Sequence, residues 1–500
     1  MGIIARQSIK ASIVALVGVA IGAFIRLFLY TKFLSTSEIG ILETIIKLGL
    51  LMIPFFVIGS PQVITRYFGR FKKSSHNDGL LFTYSSLLAF VLLPIASLAY
   101  LLNRDYIFSL YTEAPELAKY YWLPLIVSIT FGGFAFLKSI SVVHLRITVP
   151  AFLSGVVDRS FVLLLLVLYG VFQVIDIDQF LYLNIVVFFV VPFLLMIAYL
   201  IWVIKPKFSR TSLGESFNIL KQTGAYNTYL IFGTLSGVII SAIDVNMISG
   251  QLGTHLAGVY TIAFFMGTVI DVPRRSLTSI IYPILNKAVV NKDVVKYKSL
   301  YQKASVNQFL VGAFMFLIIW INIDDIFTII PNGEEFRAGK LVVLFIGLSK
   351  VVDMLMGVNR QIIELSSYYR LNLLVNIILS ILVIVLNMIF IPLESEIFGG
   401  INGVAFASLL ALLICNLLSF TIVLLMEKIQ PFTLDHIKII GVIILSFVIC
   451  YFISIENPIL GILVNSLCVA TCFLSLTLMF NISEDFTSLY HNLIEKVFKK

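Results

Sequence analysis

The chain has 500 residues, of which 59% are hydrophobic and only 12% charged, and its mean hydropathy is +1.02. Soluble domains carry about 25% charged residues, so this composition excludes a sizeable soluble domain. The net charge of +8 does not indicate nucleic-acid binding, because most basic residues lie in short connections between apolar runs.

The apolar runs are about 20 residues long, enough to cross a hydrocarbon core of about 30 Å. A β-barrel would instead show short segments of alternating hydrophobicity. Arg6 and Lys10 precede the first run, but it is too long for a signal peptide and lacks a cleavage site, so we predict an uncleaved helix. In chain order the runs predict fourteen transmembrane helices, at 11–33, 39–62, 80–102, 119–142, 152–173, 180–204, 226–249, 257–281, 304–322, 339–358, 371–392, 400–426, 437–454 and 459–480.

The basic residues of the connections predict an orientation through the positive-inside rule. If the N-terminus is cytoplasmic, 23 Lys and Arg residues of the connections and tails lie inside and five lie outside. The outside connections carry acidic residues instead, such as Asp105, Glu113 and Glu116. We therefore expect both termini to be cytoplasmic.

A weak internal repeat relates the first and seventh predicted helices. With a shift of 218 residues, a charged residue and the short turn after it coincide in the two halves: Arg26 with Asp244, Leu34 with Leu252, Thr36 with Thr254 and Gly40 with Gly258. Secondary transporters build a midplane cavity from such repeats. We therefore predict an N-lobe at 1–204 (helices 1–6), a C-lobe at 205–426 (helices 7–12), and helices 13–14 with a cytoplasmic tail at 427–500.

Ionisable residues inside the predicted helices are candidate functional positions, because a charge at the bilayer centre costs at least about 2.5 kcal/mol. The basic ones are Arg26, Lys47, Lys138, Arg159, Arg274, Arg275 and Lys350, and the acidic ones are Glu43, Asp158, Asp244, Asp271 and Asp353. The basic excess favours an anionic substrate. Lys138 and Arg159 lie close enough to the cytoplasmic end to reach the membrane interface.

The residues predicted to line a substrate-binding cavity are Arg26, Lys47, Arg274, Arg275 and Lys350. Structural alternatives remain for the first two, since Lys47 could pair with Glu43 one helical turn away. Asp244 has no basic neighbour in its own helix. We expect Asp244 either to pair with Arg26 between the two halves or to bind a proton or sodium ion during coupling.

The remaining candidates also have acidic neighbours. Arg274 and Arg275 follow Asp271 by about one turn, so that pairing would neutralise one arginine and leave the other free. Lys350 lies near the middle of its helix, and Asp353 follows three residues later. Lys350 is therefore the deepest predicted cation of the cavity.

Motifs for catalysis are absent from the sequence. It has no GxxxxGK[ST], HExxH or GxSxG motif, so we predict neither an ATPase nor another enzyme. The four cysteines, Cys415, Cys450, Cys468 and Cys472, form no CxxC pair, and we predict no metal site. Cys468 and Cys472 share a helix face, which we interpret as packing of small residues. No cofactor is expected, and transport would use a proton or sodium gradient or the membrane potential.

Three motifs resemble those of a known family. An Arg/Lys-flanked first helix with an internal arginine precedes a turn that ends in E-I-G-I-L (38–42), R-Y-F-G-R-F-K-K (66–73) follows the second helix, and A-G-V-Y (257–260) follows the seventh. Together with fourteen helices in about 500 residues, they resemble Wzx-type polysaccharide flippases of the multidrug/oligosaccharidyl-lipid/polysaccharide (MOP) exporter superfamily. The resemblance covers essentially the whole chain.

The resemblance implies an all-α polytopic protein, in which two lobes related by a pseudo-twofold repeat form a MATE-like V around a cationic cavity. It implies export of undecaprenyl-diphosphate-linked oligosaccharide across the bacterial plasma (inner) membrane for O-antigen, capsule or exopolysaccharide synthesis. Arg26, Lys47 and Lys350 would attract the pyrophosphate, and a polymerase and glycosyltransferases would be partners. Alternatives are a lipid II flippase, a MATE-type multidrug exporter and, less favoured, a membrane polysaccharide polymerase or ligase.

Overall fold

The structure, a computed structural model, describes residues 14, 17–57, 59–74, 78–209, 213–453, 455–483 and 485–488. All regular secondary structure in these residues is helical, as predicted. Eleven of the helices are long and apolar enough to cross a membrane, and two bent helix pairs raise the number to 13. The protein is therefore a multi-pass membrane protein. The first predicted span, 11–33, falls partly outside the described residues, so the total of fourteen stays a prediction.

The chain divides into two compact units, Met1–Gly258 and Val259–Lys500. The first unit contains α1 (17–33), α2 (Thr36–Val57), α3 (Ser60–Ser74), α4 (Asp78–Leu102), α5 (Trp122–Val143), α6 (Thr148–Gly170), α7 (Ile177–Ile204) and α8 (Leu213–Leu252). The helix α9 (Thr254–Thr268) begins in the first unit and ends in the second. The lobe boundaries given from the sequence stay a prediction.

The second unit continues with α10 (Asp271–Val290), α11 (Val294–Ile321), α12 (Lys340–Leu355), α13 (Asn359–Leu365), α14 (Tyr369–Phe390), α15 (Gly400–Glu427), α16 (Leu434–Tyr451) and α17 (Pro458–Met479). In this unit α15 packs on α12 and α14, while α11 packs on α10, α12 and α16. The hairpin of α16 and α17 shares an apolar core with α11, which includes Phe309, Val442 and Phe473.

Two predicted spans are bent helix pairs. The chain bends by 46° between α9 and α10, just before Pro273, whose ring and missing N–H are incompatible with a continuous helix at that point. It bends by 52° between α12 and α13. There Gly357 has a φ of +62°, a left-handed conformation that glycine adopts readily. The second bend places α13 beside the end of α12.

In the first unit, α2 packs on α5 and on α8. The contact with the α8–α9 turn is reciprocal: a Cβ atom at Gly40 would overlap the carbonyl oxygen of Thr254, and one at Gly258 would overlap that of Thr36. The shift of 218 superposes Gly40 with Gly258 and Thr36 with Thr254, so the repeat relates the two contacts to each other. The two repeat-related helix starts therefore touch through their backbones, and only glycine permits this approach.

Substitution at this contact should destabilise the protein. We expect Gly40→Ala or Gly258→Ala to cost about 1–3 kcal/mol, because the obstacle is a backbone carbonyl that cannot rotate away. The measurement is the thermal unfolding midpoint of the purified protein in detergent. Gly237→Ala on α8 is the matched control, since a Cβ there meets no described atom within 4 Å. Equal midpoints for all three variants would contradict the close approach.

Candidate functional site

The first charge cluster, Arg26, Glu43, Lys47 and Asp244, lies in the first unit. Arg26 belongs to a π-helical stretch of α1, Ile25–Tyr30, and its Nη2 lies 2.6 Å from Oε1 of Glu43. The Glu43 side chain is only 2% exposed. Glu43 thus pairs with Arg26, while the ammonium of Lys47 donates a hydrogen bond of 3.0 Å to the Ser241 carbonyl of α8.

Asp244 completes this cluster from α8. Its side chain is buried, and Asp244, Glu43 and Arg26 all interact electrostatically with Lys47. The structure therefore brings Arg26 and Asp244, the two charged residues that the repeat superposes, into one cluster around Lys47. Two cations face two anions, so the first charge cluster is balanced.

Hydrogen bonds follow this cluster along α2 and α8 toward the predicted outer turn. Thr44 bonds to Ser249, and Thr36 bonds to His255. The segment between α4 and α5 covers the end of α8, where Thr112 donates to the Gly250 carbonyl at 3.1 Å. On the predicted outer side of the charged residues, polar contacts thus join α2 to α8 and to the start of α9.

Two other basic residues of the first unit, Arg159 and Lys138, were not predicted to line the cavity. The Arg159 side chain packs against Gly18 and Gly22 of α1 and donates to the Gly155 carbonyl at 3.3 Å. Lys138 is exposed. A glycine face on α1 thus accommodates the Arg159 guanidinium.

The second charge cluster lies in the second unit and consists of Asp271, Arg274, Arg275, Lys350, Asp353 and Arg360. Both oxygens of Asp271 accept hydrogen bonds, Oδ1 from Nε of Arg274 and Oδ2 from Nε of Arg275 at 2.7 Å. Arg274 also reaches Asp353, with 3.2 Å between Nη1 and Oδ2. Arg274 is therefore held between two carboxylates and joins α10 to α12.

Asp353 has two further partners from other helices. Nδ2 of Asn416 on α15 donates to its Oδ1 at 3.1 Å, and Nη2 of Arg360 on α13 lies 3.9 Å from the same oxygen. From the sequence, Arg360 is one of the 23 basic residues predicted on the cytoplasmic side, and this contact with Asp353 was not predicted. Gly357 was the sequence feature that could have indicated this contact, because the bend there turns the chain so that α13 returns toward Asp353.

Lys350 differs from its neighbours. It interacts electrostatically with Asp353 and Asp271, yet its ammonium forms neither an ion pair nor a hydrogen bond with the residues that the structure describes. Four cations surround two carboxylates in this cluster, so it carries an excess of two positive charges. Lys350 therefore has the capacity to bind an anion directly.

A groove of about 500 Å³ adjoins the second charge cluster. It lies between α10 and α13, and its lining includes Arg274, Arg275, Thr278, Ser279, Tyr282, Gln361 and Glu364. The Arg275 side chain is 74% exposed, and Tyr282 hydrogen-bonds to Glu364. The two arginines were predicted from the sequence, whereas the other residues of the groove, on α10 and α13, gave no signal.

Comparisons with known proteins found relatives by structure alone. No family profile and no curated protein sequence matches the chain. The inward closed conformation of the lipid II flippase MurJ superposes with a TM-score of 0.74 at 16% identity, covering 97% of this chain and all of that one. The chain has the fold of this flippase and of MATE transporters.

Two MATE structures support the same assignment of the fold. An inward-facing multidrug resistance MATE family transporter of the MOP superfamily has a TM-score of 0.60 at 15% identity, and covers 86% of this chain and 98% of its own. An outward-facing structure has a TM-score of 0.53 at 16% identity, with 86% and 97% covered. The predicted MATE-like all-α architecture is thus confirmed.

The buried ion pair of the first cluster should contribute to the stability of the protein. Arg26→Ala leaves the buried Glu43 carboxylate without its cation, so we expect a loss of at most about 3 kcal/mol, moderated because Arg26 is 34% exposed. The double variant Arg26→Ala/Glu43→Gln should recover most of the lost thermal stability. Lys32→Ala, an exposed cation one to two turns on, serves as the control. No recovery in the double variant would contradict the pairing.

Proposed function

We propose that the chain is a flippase for a polyprenyl-diphosphate-linked oligosaccharide, used in the synthesis of a bacterial cell-surface polysaccharide. The observation that carries the proposal is the excess positive charge around Lys350 in a chain with the fold of transporters. A diphosphate is the anionic group that such a cluster suits. Transport rather than catalysis is the proposed activity, and the plasma membrane is the proposed location.

We propose two roles for the residues of the second cluster: some position the helices, and others bind the substrate. Arg274 is fixed by Asp271 and Asp353, so its proposed role is to position the helices. Lys350 supplies a compact point charge, while the exposed guanidinium of Arg275 can form the paired hydrogen bonds that suit phosphate oxygens. We propose that Lys350 and Arg275 contact the diphosphate.

The first cluster suits a coupling role better than a second anion site, since its charges are balanced. Protonation of Asp244, or sodium binding to it, would leave Lys47 and Arg26 opposed by Glu43 alone. The cluster would then carry a net positive charge and attract the diphosphate. We propose that Asp244 couples an ion gradient or the membrane potential to transport, with Arg26 and Lys47 as substrate contacts in that state.

Two other substrates fit the fold. A lipid II flippase would use the same cationic chemistry, because lipid II also presents a diphosphate. A multidrug exporter of the MATE type is less well supported, since organic cations favour an acidic cavity and the second cluster is positive. A polysaccharide polymerase and glycosyltransferases are the proposed partners, because they would consume and supply the lipid-linked unit.

A gene deletion in the native host tests the substrate. We expect loss of surface polysaccharide and accumulation of its lipid-linked precursor, with normal peptidoglycan synthesis and normal drug susceptibility. The measurements are glycan staining of the cell surface, mass spectrometry of lipid-linked precursors and incorporation of labelled cell-wall precursor. Arrest of peptidoglycan synthesis would identify a lipid II flippase instead, and increased susceptibility to cationic drugs alone would identify a drug exporter.

Lys350 gives the sharpest single-residue test. Lys350→Ala should reduce surface polysaccharide by about tenfold or more, a barrier change of about 1.4 kcal/mol, because it removes the cation without its own ion pair. Lys350→Arg should retain part of the export, since it keeps the charge. Glycan staining is the measurement, with protein level checked by immunoblot. Lys296→Ala, an exposed lysine on α11, is the control. Normal export by well-expressed Lys350→Ala would reject the anion-binding role.

A further inference from the structure

Three cysteines form a cluster outside both charge clusters. Cys450 lies near the end of α16, and Cys468 and Cys472 lie one turn apart on α17. Their sulfur atoms lie within 4.8 Å of one another, with 3.0 Å between Cys450 and Cys468 and 4.0 Å between Cys468 and Cys472. The expected i, i+4 face is thus present, and Cys450 joins it from the neighbouring helix.

These distances match a small coordination site. For a metal–sulfur bond of about 2.3 Å, three ligands in a plane around one ion lie about 4 Å apart. The three sulfurs therefore need shifts of an ångström or less to surround an ion. Cys450 is only 1% exposed and shares its apolar core with Val469 and Phe473, so the helices already hold the ligands in place.

We propose that Cys450, Cys468 and Cys472 bind a soft monovalent metal ion, with Cu(I) as the representative. Thiol sulfur is a ligand type that selects Cu(I). Zinc in structural sites requires four ligands, whereas the described residues of this cluster supply three. The ion would join α16 to α17.

Charge balance also favours a monovalent ion in these apolar surroundings. Binding of one Cu(I) to one thiolate and two neutral thiols releases a single proton and leaves an uncharged complex. A divalent ion on the same three sulfurs becomes neutral only after it displaces a second proton, and with one thiolate it would leave a net charge that is costly in a low-dielectric environment. Because bound ligand protons are displaced, the affinity should rise with pH.

The test uses the full-length protein in detergent, reduced, stripped of metal and kept free of oxygen. Cu(I) is titrated in competition with a coloured Cu(I) chelator. We expect the wild type to take up one equivalent, and Cys450→Ser, Cys468→Ser and Cys472→Ser each to weaken binding by about tenfold or more. Cys415→Ser is the matched control, because Cys415 is a buried thiol on α15 outside the cluster.

X-ray absorption at the copper edge of the wild type gives a test that no variant's folding affects. A shell of three sulfur atoms supports the proposal, and a shell of nitrogen or oxygen overturns it. Absence of copper uptake, or an equal loss in Cys415→Ser, also overturns it. A wild-type mass two hydrogens lower without reductant, restored in Cys450→Ser, would show a disulfide pair instead of a metal site.

Discussion

An ionised side chain in an apolar helix bundle needs a counter-charge or contact with water, and this constraint organises the polar interior of the protein. Glu43 forms an ion pair with Arg26, and Asp353 pairs with arginines from two helices. Arg274 and Asp353 also join α10 to α12, two helices that are not consecutive in the chain. The same groups that raise the cost of folding therefore fix which helices are neighbours, since a carboxylate left alone would be expensive.

The two units satisfy that constraint to different extents. The first cluster balances its charges, whereas the second has more cations than carboxylates. Lys350 accounts for part of the excess positive charge in the second cluster, because its ammonium interacts with Asp353 and Asp271 electrostatically but forms no ion pair with either. A bound anion would balance the charges of the second cluster, and the proposed binding of the substrate rests on this excess of positive charge.

Hydropathy alone predicted most of the fold, because a helix that crosses hydrocarbon must be apolar along about 20 residues. Helix ends were less predictable. The helix α8 begins at Leu213 rather than 226, since backbone hydrogen bonds within a helix continue into water without apolar residues. The charged candidates were also visible, because a charge within an apolar run stands out. The partners of these charges could not be predicted. Arg26 and Glu43 are on different helices, and Arg360 approaches Asp353 only because the helix breaks between them.

The backbone contact of Gly40 and Gly258 restricts which residues these two positions can accept. Each glycine faces the main chain of the opposite repeat, and no side-chain exchange can shorten a carbonyl group. If a larger residue replaced one of these glycines, no substitution of the residue whose carbonyl it overlaps would relieve the clash. Superposed positions such as Arg26 and Asp244 carry different residues, whereas positions 40 and 258 are both restricted to glycine.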